Sequence, residues 1–356
     1  MLEKFIIQLA TGAPLAEEQV GLAVEQLIDE RVSTPTKADF LAQLGLKGET
    51  VEEIAAFARA LRAKSILPEL DAEIRAREIL DVVGTGGDRL GTFNISTTAA
   101  IICAAAGVPV AKHGNRAATS QCGSADVLEA LGVPITLTPE QAARSLRELG
   151  FAFFFAPNYH PAFKNVAPAR RLCAERGQHT IFNYLGPLLN PARPSAMLLG
   201  VPRLDLCEPI ARVLQSLGVR RAMVVCGKVE SPKSGDQDPS ETGVLDELST
   251  LGENTIAEFY QDHGFNASVL ATDHFPLRPA TLADLAGGDR QANARIVRAI
   301  LSGEERGPKR DAILLNTAAA LMVAGRARAM VQGWDLAASV IDNGAALQKL
   351  NDLIRR

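Results

Sequence analysis

The sequence predicts an α/β protein in which a small helical domain precedes a large α/β domain with a mostly parallel central sheet. Three observations carry this. From Met1 to about Lys64 apolar residues recur at helical spacing: Leu2, Phe5, Ile6 and Leu9, then Val20, Ala23, Leu27 and Ile28, then Ile54, Phe57, Ala58 and Leu61. From Ile79 onward the rhythm changes to short apolar runs, "ILDVV", "VPVAKH", "FAFFFAP", "AMLLGV" and "RAMVVCG", separated by helix-like segments, as in a parallel sheet with helices packed on it. A chain of 356 residues with 47% hydrophobic content also has enough apolar material for two or three cores.

Local signals place the elements. In the first unit "STPTKADF" reads as a proline-containing break before a fresh helix, and Thr50 with Glu53 as a capping box opening the last one. The Arg-rich stretch Asn165 to Gln178 is helical again and is expected to pack back on this unit. The expected domains are therefore 1–70, joined by a helical segment at about 165–187, and 71–164 with 188–356. Lys228 to Thr242, "KVESPKSGDQDPSET", is polar, aperiodic and holds two prolines, so it reads as a surface loop.

Composition narrows the function. A formal charge of -4 and a pI near 5.8 supply no global attraction for nucleic acid or an anionic membrane surface, so an anionic ligand must be met by a local site. Cys103, Cys122, Cys173, Cys207 and Cys226 form no CxxC pair, the usage of a reduced, cytoplasmic protein without structural zinc. No apolar window approaches a membrane span.

Four constellations carry chemistry. "DVVGTGGDRLGTFNIST", Asp81 to Thr97, puts glycines after a strand, where α/β proteins often bind phosphate. It fails the dinucleotide pattern at Arg89 and the Walker pattern at Thr92 and Phe93, which leaves a phosphate loop of a third kind. "KHGNRAATSQCGSAD", Lys112 to Asp126, is a second glycine turn, before a helix starting near Ala125, whose cations, amides and backbone N–H groups suit a polyanion. "HPAFKNVAPARR", His160 to Arg171, offers two arginines, either an ordinary solvated helix face or a planar fork for a carboxylate. In "GVLDELS", Asp246 and Glu247 are either surface charge or the hard oxygen donors that magnesium needs beside a pyrophosphate.

"GTGGD...TFNIST", "KHGNR...GSADVLEALG", "HPAFKNVAPAR", "TIFNYLGPLLNPA", "LDELS" and "LAGGDRQANA" stand in the same order as in the anthranilate phosphoribosyltransferases of tryptophan biosynthesis, and the chain resembles that family over nearly its whole length. The resemblance implies a phosphoribosyltransferase-like fold, a homodimer joined through the helical domain, and transfer of the phosphoribosyl group of phosphoribosyl pyrophosphate to anthranilate. It implies a sugar-diphosphate site at Gly84, Gly87, Asp88, Thr92, Asn94, Ile95, Ser96 and Thr97. The second part of that site is implied at Lys112, His113, Gly114, Asn115, Arg116, Ala117, Ala118, Thr119, Ser120 and Ser124. It further implies anthranilate contacts at Gly84, Asn115 and Arg170, magnesium ligands Ser96, Asp246 and Glu247 with two ions per monomer, and catalytic roles for Lys112, Asp246 and Glu247. The stretch between Arg170 and Thr180 is longer than the family pattern, so Arg171 competes with the favoured Arg170 for the anthranilate contact; the loop 228–242 is longer than the pattern as well. A pyrimidine nucleoside phosphorylase shares this architecture but handles inorganic phosphate and a nucleobase. A non-catalytic, nucleic-acid-binding paralogue calls for a basic surface and eroded phosphate loops, which this sequence lacks.

Overall fold

The computed structural model describes residues 1–117, 121–230, 243–261 and 263–355. Ala118, Thr119, Ser120 and most of the expected surface loop, 231–242, lie outside the described residues. The first 62 residues form α1 (Leu2–Ala10), α2 (Glu17–Ile28), α3 (Thr34–Lys47) and α4 (Val51–Arg62). The capping box opening α4 forms: Glu53 N donates to Thr50 Oγ1 at 3.2 Å, and Thr50 N to Glu53 Oε2 at 2.9 Å. Ser33, just ahead of "TPTKADF", caps α3 with a single bond, its Oγ accepting from Thr36 N at 3.3 Å.

After the short α5 (Ala72–Arg75) come β1 (Leu80–Gly84), α6 (Ile95–Ala105), β2 (Val110–Gly114), α7 (Ser124–Leu131), α8 (Pro139–Leu149) and β3 (Phe151–Phe155). The chain continues through α9 (Ala156–Tyr159), α10 (Ala167–Glu175), α11 (Phe182–Leu188), β4 (Ala196–Gly200), α12 (Cys207–Ser216) and β5 (Arg221–Val229). It ends with β6 (Gly243–Leu245), β7 (Asn254–Tyr260), β8 (His263–Leu270), α13 (Arg290–Leu301), α14 (Pro308–Val323), α15 (Met330–Asp342) and α16 (Ala345–Ile354).

The sheet runs β3-β2-β1-β4-β5-β7-β8, with β6 pairing β5. The five expected strands are the parallel part, while β6, β7 and β8 are antiparallel. This antiparallel edge was not among the expected strands: "NTIAEFY" and "HGFNASVL" mix polar with apolar positions instead of forming the apolar runs of a doubly covered strand. Lys228 and Val229, expected at the start of the loop, belong to β5.

Alternation along the strands divides two main cores. Leu80, Val82, Phe153 and Leu198 face α6, α7 and α13 to α16. Met197, Leu199, Ala222 and Val224 face the other way, into an apolar cluster that runs through α12 and α11 to Leu41, Phe57 and Leu61 of the helical bundle. Val166, Ala169 and Cys173 of α10 are buried in that cluster. Among the described residues no helix is long and apolar enough to cross a membrane.

Candidate active site

The carboxyl ends of β1, β4 and β5 meet at one crevice, where parallel sheets commonly bind ligands, and the segment after β6 crosses them. Three glycines admit it, among them Gly227 of β5, where a Cβ would lie 2.7 Å from Glu247 O. A Cβ on Gly84 would lie 2.9 Å from the Asp246 carbonyl oxygen, and one on Gly200 only 1.6 Å from it. Asn316 in α14 is fully buried and grips the segment from behind, accepting from Leu248 N at 2.9 Å and donating to Leu248 O at 2.9 Å. Sequence reading missed Gly200 and Asn316. The available signals were a strand ending in glycine, "AMLLG", and a lone amide in the apolar helix "AILLNTAAALMV".

The acidic pair is not surface charge. Asp246 and Glu247 are 5% and 8% exposed, seated on the backbone amides that the glycine loop was expected to offer a phosphate. Asp246 Oδ2 accepts from Thr85 Oγ1 at 2.9 Å, from Gly87 N at 3.3 Å and from Gly86 N. Glu247 Oε1 accepts from Ser96 N at 3.2 Å, at the N-terminus of α6. Burial, reinforced by the charge of Asp246, pushes the Glu247 carboxyl up to about 8 and that of Asp88 up to about 7. Asp88 Oδ2 is buried without a hydrogen-bond partner among the described residues.

Asp88 and Glu247, whose ionisation burial and the Asp246 charge hinder, the first with an orphaned oxygen, fit a hard divalent cation, which would favour their charged forms. No group of three His, Cys, Asp or Glu side chains is preassembled around one point among the described residues. Magnesium suits such a site because it usually keeps several waters and takes one or two carboxylates plus substrate oxygens.

The second turn differs from expectation in where its cations go. Lys112 is 1% exposed; its Nζ donates to Val82 O at 2.6 Å and approaches Ser96 Oγ at 3.4 Å, with Asp81 and Glu247 as nearby negative charges. Burial lowers its pKa and those two acids oppose the shift. Arg116 pairs with Asp126 at 3.0 Å and Glu129 at 2.9 Å. Asp126 also accepts from Ala117 N and Gly123 N, each at 2.9 Å. Both cations are therefore balanced internally, because a buried ammonium needs partners and Asp126, acting as a helix cap, lies within reach of Arg116. Asn115 is exposed, and its backbone carbonyl accepts from Ser124 Oγ at 3.3 Å, closing the turn after Gly114.

His113 and His160 are buried edge to face, ring centroids 5.3 Å apart, and bond the carbonyls of Gly186 and Leu189. Burial brings His113 down to about 3, helped by His160, and His160 down to about 4. Each folded-state value lies below the unfolded 6.5, so their stabilising contribution is full above pH 6.5 and is lost as pH falls toward 4. Replacing His160 with Gln, which can still donate to Leu189 O, is expected to flatten the acid limb of stability between pH 6.5 and 4 relative to the parent. Urea titrations at each pH measure this, and an unchanged slope would mean that the ring is charged in the fold.

The remaining expected residues divide by accessibility. Ile95 and Thr97 have buried side chains, so the crevice meets them only through backbone, and Thr92 pairs in an isolated bridge with Ala286. Arg170 is exposed on α10 with its guanidinium 5.2 Å from the centre of the Phe182 ring on α11; Arg171 is exposed as well.

Comparison with known proteins agrees with this two-part fold. Residues 3–65 match the helical bundle domain of a glycosyl transferase family, and residues 76–347 match that family's a/b domain. The anthranilate phosphoribosyltransferase of Roseiflexus castenholzii is 47% identical over 350 residues, 98% of this chain and 96% of the relative. This chain belongs to the anthranilate phosphoribosyltransferase family. The family's enzyme from Thermus thermophilus superposes with a TM-score of 0.85 at 39% identity, covering 98% of both chains. The Saccharomyces cerevisiae member, solved in complex with PRPP and Mg, superposes at 0.84 with 27% identity, covering 99% of this chain and 97% of that one.

Proposed function

We infer that the chain transfers the phosphoribosyl group of 5-phosphoribosyl 1-diphosphate to the amine of anthranilate, giving N-(5-phosphoribosyl)anthranilate and pyrophosphate, in tryptophan biosynthesis. The observation that carries this reading is the seating of Asp246 and Glu247 on the amides of the glycine loop and of α6. One crevice thus combines anion-binding backbone with a buried acidic cluster, as a magnesium-bound diphosphate requires. A nucleoside phosphorylase, which handles inorganic phosphate, does not need that pairing. A nucleic-acid-binding paralogue does not fit a net charge of -4.

In the reaction the anthranilate nitrogen bonds to C1 of the ribose, the C1–O bond breaks, its electron pair leaves with pyrophosphate, and the nitrogen gives up a proton. The aromatic amine is neutral at pH 7 and releases that proton easily once bonded to carbon, so no strong base is needed. Bound magnesium supplies positive charge to the departing diphosphate. The chain's work is positioning and electrostatics. The backbone at Gly84, Gly87 and the start of α6 lines the diphosphate, with Asp88, Thr92 and Asn94 beside it. Lys112, held between Val82 O and Ser96, acts on it as a fixed charge, and the turn from His113 to Ala117 with Ser124 encloses the rest. Ser96, Asp246 and Glu247 hold the metal, two ions per monomer. Gly84, Asn115 and Arg170 receive anthranilate, the arginine being steadied by Phe182.

Exposed Ile7 and Leu46, 68% and 74% accessible on α1 and α3, support a homodimer through the helical domain. Five buried, unpaired cysteines support a cytoplasmic setting.

Loss of anthranilate fluorescence that needs both the diphosphate substrate and magnesium tests the activity; no loss with both present, or equal loss with either omitted, would refute it. Arg170→Ala is expected to raise the anthranilate KM about tenfold to a hundredfold, the scale of a lost charge-assisted bond, and the diphosphate KM far less. Equal effects on both would place Arg170 elsewhere.

A further inference from the structure

The "LAGGDRQANA" segment has no part in the chemistry above, yet it backs directly onto the phosphate loop. Thr92 bridges to Ala286, Phe93 N donates to Leu285 O at 3.2 Å, and Gly287 N donates to Gly91 O at 2.9 Å. Its buried amide, Asn293 on α13, is 1% exposed and reaches Asn94.

Donor and acceptor logic fixes both amides. Gly288 N donates to Asn293 Oδ1 at 2.8 Å, so the other end of Asn293 is its NH2. That NH2 donates to Asn94 Oδ1 at 2.9 Å, which turns Asn94 Nδ2 toward Cys122 O at 3.2 Å. Asn94 occupies the N-cap of α6, where an Asn normally turns its carbonyl onto the first-turn amides, yet its side chain makes no capping bond among the described residues. Its carbonyl is held by Asn293 instead.

We propose that Asn293 is a positioning residue that turns the Asn94 carbonyl away from the first turn of α6, so that no N-cap side chain competes there with Glu247 and the diphosphate substrate. The same contacts tie the two phosphate turns together, since Cys122 lies in the second. This rests on the function proposed above and adds a residue to it.

Calorimetric titration of the diphosphate substrate with magnesium into the full-length chain tests it. Asn293→Ala and Asn293→Asp both remove the donor, the second with almost no change in shape. Each is expected to weaken diphosphate binding about tenfold, or about 1.4 kcal/mol, while the anthranilate KM stays within twofold. In an Asn94→Ala background, where nothing can cap, the Asn293 changes should produce no further loss. Unaltered binding in both single variants, or losses that add in the double variant, would overturn the proposal. A parent chain that binds no diphosphate would instead refute the proposed function.

Discussion

Changing Asp246 to Asn together with Glu247 to Gln is expected to lower kcat/KM by at least about a thousandfold, roughly 4 kcal/mol of transition-state stabilisation, and to abolish the magnesium dependence of the remainder. Shape and hydrogen-bond acceptors are retained, so amide contacts to Thr85, Gly87 and Ser96 can persist while the two negative charges are removed. The same change should stabilise the metal-free fold. The Glu247 carboxyl is pushed up from the usual 4.5 to about 8 by burial and by Asp246. Between those values the folded parent binds more protons than the unfolded chain, so its stability falls as pH rises through that window. The variant has no such burden, and its advantage in metal-free buffer should grow from pH 5 to pH 8. Activity lost with stability gained separates a functional defect from a folding defect. Activity near that of the parent would remove the metal assignment, and lower stability at pH 8 would show that the acids support the fold.

Much of this site was legible because its chemistry is local in sequence. The glycine loop, the lysine turn and the acidic pair each stand within a few residues, and each loop lies beside a strand whose apolar run is plain. The five parallel strands were readable for the same reason: buried on both faces, they carry continuous apolar sequence. The antiparallel edge strands have one less protected side and show no such run.

What the residues did not reveal is which charges cancel which. "KHGNR" reads as two cations available to a polyanion, but the fold brings Glu247 near Lys112 from 135 positions later in the chain, and Arg116 finds Asp126 and Glu129 one helix away. The side-chain offer to an anion is therefore smaller than the composition suggested. The supporting residues were hidden for a related reason. Nothing local marks Asn293, Asn316 stands out only as a lone amide, and only the tertiary fold shows that each hydrogen-bonds a segment of the candidate site lying far off in sequence.

Gly200→Ala tests how much of the site depends on close backbone approach, and it is expected to be among the most damaging single methyl additions in the chain. The new Cβ would stand 1.6 Å from Asp246 O, 2.3 Å from its carbonyl carbon and 3.1 Å from Glu247 N. These are backbone atoms, which cannot rotate aside as a side chain can. Relief requires shifting the 246–248 segment by more than an ångström, against the two-point grip of Asn316 on Leu248 and the bonds that Asp246 accepts from Thr85 Oγ1 and Gly87 N. Overpacking on that scale costs about 1–3 kcal/mol, and a displacement of about 1 Å in catalytic groups lowers turnover about a hundredfold. Urea denaturation and steady-state kinetics on the variant measure the two effects. Gly21→Ala is the control: Gly21 lies within α2 with nothing inside 4 Å of an added Cβ, so helix propensity alone should make that change neutral or stabilising by up to about 1 kcal/mol. If Gly200→Ala behaved like Gly21→Ala, the acidic segment would have to sit farther from β4 in solution, and the metal site would need another geometry.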